Sequence, residues 1–524
     1  MFVGLLLVAE AAAQITPSDI PNPKRWIDGC ATRPTILARR EACGEFPTAV
    51  VALPGDVEPM QRPRMLVVGG LGASPLAGAA VAARLPAALA DLAERDPVVA
   101  DTLKKVAVEI VLLPVRDATS AGVAWDDDHD GLVDEDPPQD IDGDGRITTM
   151  RVPDPLGDWR VSPDSPRLMV KVDRAKGERG THRIVVEGRD VDGDGAIGED
   201  GRNSVDLDRN FPHGWREFDA GAGPFPLSDP AARDLAWFVM NTKPVVAVLA
   251  LGTRDNLVAG MPKWTDERPH RGADGDDADV FADASSSFKK RFPDMPGAGG
   301  APDGGFHAWA YHQRGVFAFA SPTYAPPKPP EGTKVDGVDP TTDELRRLHD
   351  SDTRLKGRGF APWKAYDHPT LGKVEIGGWV DAMSNVPGAD EIDALVDGHA
   401  GFIADVAARF PRLTVPSVAV RALGGSVYEL RVTLANEGRW PTLSRMAGRT
   451  RVPLPTRVEL DVPAGTVFES GEARTLVEPF SGAGSGRELR WILRAPADSV
   501  VGIEVISEKA GSSKTKAVLT GEVK

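Results

Sequence analysis

The sequence is poor in cysteine and in long apolar runs, and each shortage excludes a class of protein. Two cysteines, Cys30 and Cys43, are too few for the usual thiolate zinc sites, which need three or four cysteines or two with suitably spaced histidines. No apolar run approaches the roughly 20 residues that span a bilayer, so a membrane span is not expected. With 61 Lys and Arg against 77 Asp and Glu, the net charge of −16 also argues against a nucleic-acid partner.

The N-terminus resembles a secretory signal peptide. Residues 1–14, MFVGLLLVAEAAAQ, contain a short apolar run followed by three alanines, although the usual basic leading segment is missing. This pattern predicts export to the periplasm or the extracellular space. In an exported protein Cys30 and Cys43 could form one disulfide, and the alternative is two unpaired thiols.

Apolar runs with helical patterns between them indicate an α/β fold with a sheet covered on both faces. The candidate strands are MLVV (65–68), VAVEIVLL (106–113), VVAVLAL (245–251), VFAFA (316–320) and VEI (374–376). After Pro411 short alternating runs are separated by Gly, Pro and Asn turns, which is typical of a small β-sandwich.

The length of 524 residues predicts two or three domains. The predicted organisation is a possible signal peptide over 1–14, an N-terminal segment over 15–62, an α/β domain over 63–412 with an acidic insert over 125–200, and a β-sandwich domain over 413–524.

Three segments share the spacing D-x-D-x-D-G, beginning at Asp126, Asp140 and Asp190. Alternate carboxylates on a tight turn can converge on one hard cation, and glycine permits the sharp backbone reversal. None has Glu at the twelfth position, so they resemble the non-helical calcium loops of extracellular proteins; the alternative is a solvated acidic surface. The candidate calcium ligands are Asp126, Asp128, Asp130, Asp134, Asp140, Asp142, Asp144, Asp190, Asp192, Asp194 and Glu199.

Four further segments resemble the zinc metallocarboxypeptidase family of the carboxypeptidase A type, in the family's order. They are SVDLDRNFPHGW (204–215), GPFPLSDPAARDLAWFV (223–239), GGFHAWAYHQRGVFAFA (304–320) and HPTLGKVEIGGW (368–379). The resemblance covers roughly residues 63–413 and implies a mixed, largely parallel sheet flanked by helices. It also implies zinc held by a His-x-x-Glu pair and a second His, with a Glu as general base on the zinc-bound water.

The residues that the resemblance assigns to zinc and to the base are replaced here. The first zinc His falls on Gly72, the zinc Glu on Pro75 and the second His on Gly252, while the base falls within Ser321–Thr323, at Pro322. No histidine precedes His129, and none lies between His213 and His270, so no small shift of the alignment restores the motif. The ordinary zinc site is therefore expected to be absent.

Part of the substrate side of the family remains. By the resemblance, Arg209 matches the arginine that grips the substrate's C-terminal carboxylate, and Tyr311 matches the tyrosine that closes over bound peptide. Asp208 replaces the usual Asn, and Arg151 could match an arginine that stabilises the oxyanion. The alternatives are that Arg209 pairs with Asp206 or Asp208 and that Tyr311 packs among Phe306, Trp309 and Phe317.

The sequence therefore predicts a secreted carboxypeptidase-like homologue, a pseudoenzyme without zinc or catalysis, that acts as a calcium-stabilised binding or structural module. Its partner would be a peptide, a cell-wall fragment or another protein. The alternative is an active metallocarboxypeptidase that cleaves C-terminal residues from peptides with a relocated zinc site. That site would need His213, His270, His307 or His312 to converge with Asp206 or Asp208.

Overall fold

The computed structural model describes residues 20–44, 46–72, 76–113, 137–191, 193, 195, 197–198, 205–242, 244–297, 303–330, 333, 343–380 and 386–520. The α-helices are α1 (Pro23–Cys30), α2 (Leu76–Arg95), α3 (Pro97–Lys105), α4 (Pro230–Asn241), α5 (Asp277–Arg291), α6 (Phe306–His312), α7 (Asp343–Asp352), α8 (Ile392–Ala407) and α9 (Arg445–Thr450). The first ten strands are β1 (Ile36–Cys43), β2 (Phe46–Val51), β3 (Arg64–Gly69), β4 (Ala107–Leu112), β5 (Thr149–Pro153), β6 (Trp159–Val161), β7 (Met169–Lys171), β8 (His182–Val186), β9 (Val245–Leu251) and β10 (Phe317–Ser321). The other ten are β11 (Phe360–His368), β12 (Gly372–Trp379), β13 (Leu413–Gly424), β14 (Val427–Asn436), β15 (Thr456–Asp461), β16 (Val467–Ser470), β17 (Arg474–Val477), β18 (Ser485–Arg494), β19 (Val500–Ser507) and β20 (Gly511–Val518).

The central element is a mixed six-stranded sheet in the order β1-β2-β4-β3-β9-β10. Strands β4, β3, β9 and β10 run parallel, and β1 and β2 join them antiparallel. The four parallel strands are buried along their whole length, which confirms the covered sheet that their apolar runs predicted. The mixed strand directions agree with the sheet that the resemblance implied. Because β1 and β2 precede residue 63, the sheet extends beyond the boundary drawn from the sequence.

Helices flank this sheet, and their starts follow local sequence signals. The side chain of Asp229 accepts the backbone N–H of Ala231 at 2.8 Å and so caps α4, with Pro230 in its first turn. In the described part of the chain, α2 alone is long and apolar enough to cross a membrane by length and composition. Most of α2 is buried, and it contacts β3, β4 and α8 as a core helix does.

A second six-stranded sheet, β11-β12-β5-β8-β6-β7, is antiparallel throughout. The run VEI, predicted as a strand of the α/β sheet, lies here on β12, where Val374 and Ile376 share a small core with Met150 and Val152. Three apolar residues identify a strand but not its sheet, because pairing partners are chosen by tertiary contacts.

The C-terminal region forms two four-stranded antiparallel sheets, β13-β14-β18-β16 and β17-β15-β19-β20. Alternate residues such as Leu430, Val432, Val501 and Ile503 enter a core of their own, as the alternating pattern predicted. Trp440, from the loop after β14, is instead buried in the core of the first domain.

Candidate functional site

The positions that the resemblance assigns to zinc come together at the carboxyl ends of β3, β9 and β10. A Cβ atom on Gly72 would lie 3.2 Å from Thr253 Oγ1 and 3.9 Å from Asp208 Cβ. The backbone N–H of Gly252 donates to the carbonyl of Ser321 at 3.3 Å. This edge of an open α/β sheet is where ligands commonly bind. Pro75 lies outside the described residues.

None of these positions offers a metal ligand of the family's type. Gly72 and Gly252 have no side chain, and Pro322 has no donor or acceptor beyond its backbone carbonyl. The hydroxyl of Ser321 is fully buried and donates a hydrogen bond to His399 Nε2 at 3.0 Å. Nε2 is the acceptor because the other ring nitrogen, Nδ1, donates to the carbonyl of Leu395. The described residues at this edge therefore do not fit a catalytic zinc ion.

An ion pair lies where the zinc positions meet. Asp208 is fully buried, accepts the backbone N–H of Phe306 at 2.8 Å through Oδ1, and has Oδ2 3.5 Å from Arg254 Nε. Arg254 also donates to the carbonyl oxygen of Asp208 at 2.6 Å. Burial raises the pKa of Asp208 to about 6, against the opposing effect of Arg254. Sequence reasoning missed Arg254; its position two residues after Gly252, just past a buried apolar strand, was the signal.

Arg209 lies beside this pair and is half exposed. Its Nε is 3.6 Å from Asp206 Oδ2, and Nη1 donates to the carbonyl of Ala220 at 3.2 Å, so it is held by Asp206 as one alternative expected. Burial raises the pKa of Asp206. Arg209 also lines a narrow cleft with Trp215, Arg216 and Asp303.

Tyr311 does not face this cleft. It is fully buried on α6, and its hydroxyl donates to Asp277 Oδ2 at 2.8 Å while accepting the backbone N–H of Asp274 at 2.9 Å. Its ring packs edge-on against Phe281, with the centroids 5.1 Å apart. A hydroxyl engaged twice in the interior does not reach a bound peptide, so the packing alternative describes this tyrosine, which shares its core with Phe306, Trp309 and Phe317.

Arg151, the weaker candidate for the oxyanion arginine, lies in the second sheet on β5. Its Nε donates to Glu375 Oε2 at 2.8 Å, and its guanidinium lies 4.6 Å from the ring centroid of Trp363. Both contacts are with strands β11 and β12 rather than with the carboxyl edge of the main sheet.

Cys30 and Cys43 are both buried free thiols, and burial raises both pKa values, that of Cys30 to about 11.

The histidines of the alternative zinc site cluster without forming a ligand set. The rings of His213 and His312 stack with centroids 4.2 Å apart and planes 11° apart. Ring-nitrogen lone pairs lie in the ring plane, so two stacked rings cannot direct them at one zinc about 2.0–2.1 Å away. His213 Nε2 also donates to the carbonyl of His270 at 2.8 Å. Burial lowers the pKa values of His307 and His312 to about 3.

The second acidic loop folds onto a buried carboxylate. In the described part of the chain, oxygens of Asp140, Asp142 and Glu187 form the one group of three potential metal ligands within 4.8 Å of one another. Asp140 accepts the backbone N–H groups of Gly143 and Gly145 at 2.8 Å, which curls the loop. Glu187 accepts the N–H of Ile141 at 2.9 Å and is fully buried at the end of β8.

Glu187 was missed from the sequence, although it stands three residues before the third loop begins. Asp144 lies in the same loop, and its Oδ2 is 3.9 Å from Lys364 Nζ. In the third loop the N–H of Gly193 donates to Asp190 Oδ1 at 2.7 Å. The other candidate ligands, like residues 1–14, lie outside the described residues: Asp126, Asp128, Asp130, Asp134, Asp192, Asp194 and Glu199.

Two comparisons with known proteins find similarities. A family model described as a domain of unknown function (DUF8731) matches residues 412–518, the stretch that forms the two C-terminal sheets. The crystal structure of thrombin activatable fibrinolysis inhibitor (TAFI) resembles this chain with 13% sequence identity and a TM-score of 0.37, over 75% of this chain and 73% of that chain. A comparison with curated proteins finds no match.

Proposed function

We propose that this chain is an exported carboxypeptidase-like homologue without zinc-dependent catalysis, which acts as a calcium-stabilised binding or structural module. The observation that carries the proposal is the edge of the main sheet where Gly72 and Gly252 replace the expected histidines. The Asp208–Arg254 ion pair occupies the neighbouring space.

Arg254 adds an electrostatic argument. A guanidinium 3.5 Å from Asp208 already neutralises the nearest buried carboxylate. A divalent cation there would compete with Arg254 for the same oxygen and would be repelled by it. The site is therefore better suited to polar contacts with a partner than to holding a metal.

Calcium belongs to the acidic loops in this proposal. Asp140, Asp142 and Glu187 would hold the ion in the described part, because three carboxylates supply the oxygen ligands that calcium prefers. Calcium would neutralise their mutual repulsion and fix the turn Asp140–Gly145 against β8. The role is structural, since this loop packs on the second sheet and not on the edge that carries Asp208.

The alternative function, an active metallocarboxypeptidase with a relocated site, has one supporting observation: four histidines lie near one another. Coulombic interaction couples His312 to His213, His307 and His270. The stacking of His213 on His312 makes them poor joint ligands in this arrangement. A zinc site there would require one ring to turn out of the stack.

Elemental analysis of the purified, dialysed protein tests the proposal. We expect bound calcium and no zinc, and no release of C-terminal residues from peptides with zinc supplied. The double variant Asp142→Asn/Glu187→Gln should lose calcium, whereas Asp461→Asn, an exposed carboxylate of the C-terminal domain, should not. Stoichiometric zinc, with turnover that a chelator abolishes and His213→Asn removes, would instead establish the relocated site.

A further inference from the structure

A groove of about 360 Å³ runs between the first domain and the C-terminal domain. Its walls come from the segment Asp56–Pro63, from α3, from the junction Phe410–Leu413 and from the turn Ala510–Ser512. This volume falls within the roughly 300–1,000 Å³ typical of small-molecule sites, which occur preferentially at domain interfaces.

Arg62 is a buried cation on the wall of this groove. The residue is 2% exposed, and its guanidinium donates to the carbonyls of Val57 at 2.6 Å, Leu53 at 2.7 Å and Leu103 at 3.0 Å. No carboxylate of the described chain forms an ion pair with it within 4.0 Å. Arg64, two residues later and equally buried, has Glu109 Oε2 at 2.6 Å.

A buried charge without a carboxylate in direct contact is costly, because carbonyl dipoles and more distant acids replace only part of its hydration. The charge of the neighbouring Arg64 is compensated by the carboxylate of Glu109. The groove that Arg62 lines is therefore the place from which an external anion would supply the missing charge.

The lining of the groove carries one more positive than negative charge. Lys105 pairs with Asp101 at 2.6 Å, and Arg412 pairs with Glu437 at 2.7 Å. Among the described residues Lys104 belongs to no ion pair, which leaves Arg62 and Lys104 against one acid of the lining, Asp56. Asp56 and Glu58, which lies outside the lining, attract Arg62 electrostatically but from beyond ion-pair distance.

Apolar side chains complete the lining. Val98 on α3 is 67% exposed, and Val57, Val106 and Phe410 contribute to the same walls. An exposed valine beside unpaired cations matches a ligand with an apolar body and one anionic group. Such a molecule would bury Val98 and neutralise Arg62 at once.

We propose that this interdomain groove is a binding site for a small amphipathic organic anion, a carboxylate, sulfonate or phosphate with an apolar body. The anionic group lies toward Arg62 and Lys104, and the apolar body lies on Val98 and Phe410. Because the walls come from both domains, the bound anion also stabilises their contact. The site is independent of the zinc question and of the acidic loops.

Fluorescence titration tests the proposal with two probes of similar shape: anilinonaphthalene sulfonate, which is anionic, and phenylnaphthylamine, which is neutral. We expect the sulfonate to bind at least about tenfold more tightly, the effect of roughly 1.4 kcal/mol from one charge interaction. Val98→Glu and Lys104→Glu should each weaken sulfonate binding about tenfold. Val500→Glu, a similarly exposed valine outside the groove, should leave it within about twofold.

Removing Arg62 risks unfolding, so the two rim variants carry the test, and Arg62→Met adds to it if circular dichroism shows a native fold. Equal affinity for both probes, absence of sulfonate binding, or affinity unchanged by Val98→Glu and Lys104→Glu would each overturn the proposal. Those outcomes leave calcium content and peptidase activity unaffected, so failure here is distinguishable from failure of the proposed function.

Discussion

At the scale of single residues, the buried carboxylate of Asp208 is one departure from the family that the sequence motifs resemble, besides the replaced zinc positions. The resemblance places Asn at this position, and Asp brings a charge into a fully buried site. Desolvation favours the protonated form and raises the pKa from 3.8 to about 6, although Arg254 opposes the shift. The residue is therefore an acid that retains its proton in the folded state when the unfolded chain has lost it.

Asp208→Asn should remove the destabilisation that the ionised carboxylate causes in this buried site. The sign of its effect on the free energy of unfolding follows from the difference in bound protons between the folded and the unfolded chain. Between pH 3.8 and about 6 the folded chain binds more protons at Asp208 than the unfolded chain, so stability falls as pH rises through this window. Above this pH window the loss in free energy of unfolding reaches roughly 3 kcal/mol. Asn cannot ionise, so the variant should gain stability relative to the wild type as pH increases from 4 to 6.5.

Urea unfolding at several pH values measures this difference. The variant also loses the ion pair with Arg254, which shifts its free energy of unfolding by an amount that is the same at every pH. The informative quantity is therefore how the difference in unfolding free energy between variant and wild type changes with pH. Asp461→Asn is the matched control and should track the wild type. A difference for Asp208→Asn that is flat from pH 4 to 6.5 would contradict the raised pKa.

At the scale of elements, α9 and the loop before it attach the C-terminal domain to the first domain. Asp277, at the start of α5, accepts the backbone N–H groups of Arg445 at 2.8 Å and Met446 at 3.1 Å. Tyr311 donates to the same carboxylate, so the tyrosine that the resemblance assigned to substrate supports a domain contact. Trp440, in the loop after β14, lies against Phe317 with ring centroids 5.4 Å apart.

Trp440→Ala should destabilise the first domain as well as the C-terminal one. Trp440 is 1% exposed, and truncating a buried tryptophan typically costs about 3–5 kcal/mol. We expect lower denaturant midpoints and faster amide exchange on β10, which carries Phe317. Leu454→Ala, at a leucine that is 54% exposed, should change stability by less than about 0.5 kcal/mol. Unaltered exchange on β10 in Trp440→Ala would mean that the two domains do not share a core.

At the scale of the whole molecule, several buried histidines contribute to the response of stability to acid. Burial lowers the pKa values of His307 and His312 to about 3 and that of His399 to about 4, against 6.5 in an unfolded chain. Their stabilising contribution is complete above pH 6.5 and is lost as pH falls toward the folded values. Asp206, Asp208 and Asp277, whose pKa values burial raises, act in the opposite direction.

Relative to a variant that lacks one of these imidazoles, the wild-type protein should therefore lose stability on acidification from pH 6.5 to 4.5. Each of the three histidines contributes up to about 1.4 kcal/mol per pH unit. His312→Gln should reduce this slope, whereas Gln313→Asn beside it should not. Free energies of unfolding from urea titrations at pH 7, 5.5 and 4.5 provide the measurement, and a difference between the wild type and His312→Gln that stays constant over that range would contradict the lowered pKa of His312.

The sequence by itself determined the parts of this protein that depend on neighbours along the chain. Continuous apolar runs identified the four parallel strands of the main sheet but not β1 and β2. Asp229 with Pro230 marked the start of α4, and period-two alternation marked the C-terminal strands. The absence of histidine at Gly72 and Gly252 also follows from the sequence alone, because it depends on residue types and their spacing.

Only the tertiary structure decided which distant residues meet. Asp208 binds the N–H of Phe306, which is 98 residues away, and Glu187 closes a loop that begins at Asp140. Arg254 beside Asp208, the sheet that contains VEI, and the interior position of Tyr311 likewise depend on contacts between separate elements. Periodicity and capping act over a few residues, whereas these contacts are selected by packing and by the need to pair buried charges, which no local pattern encodes.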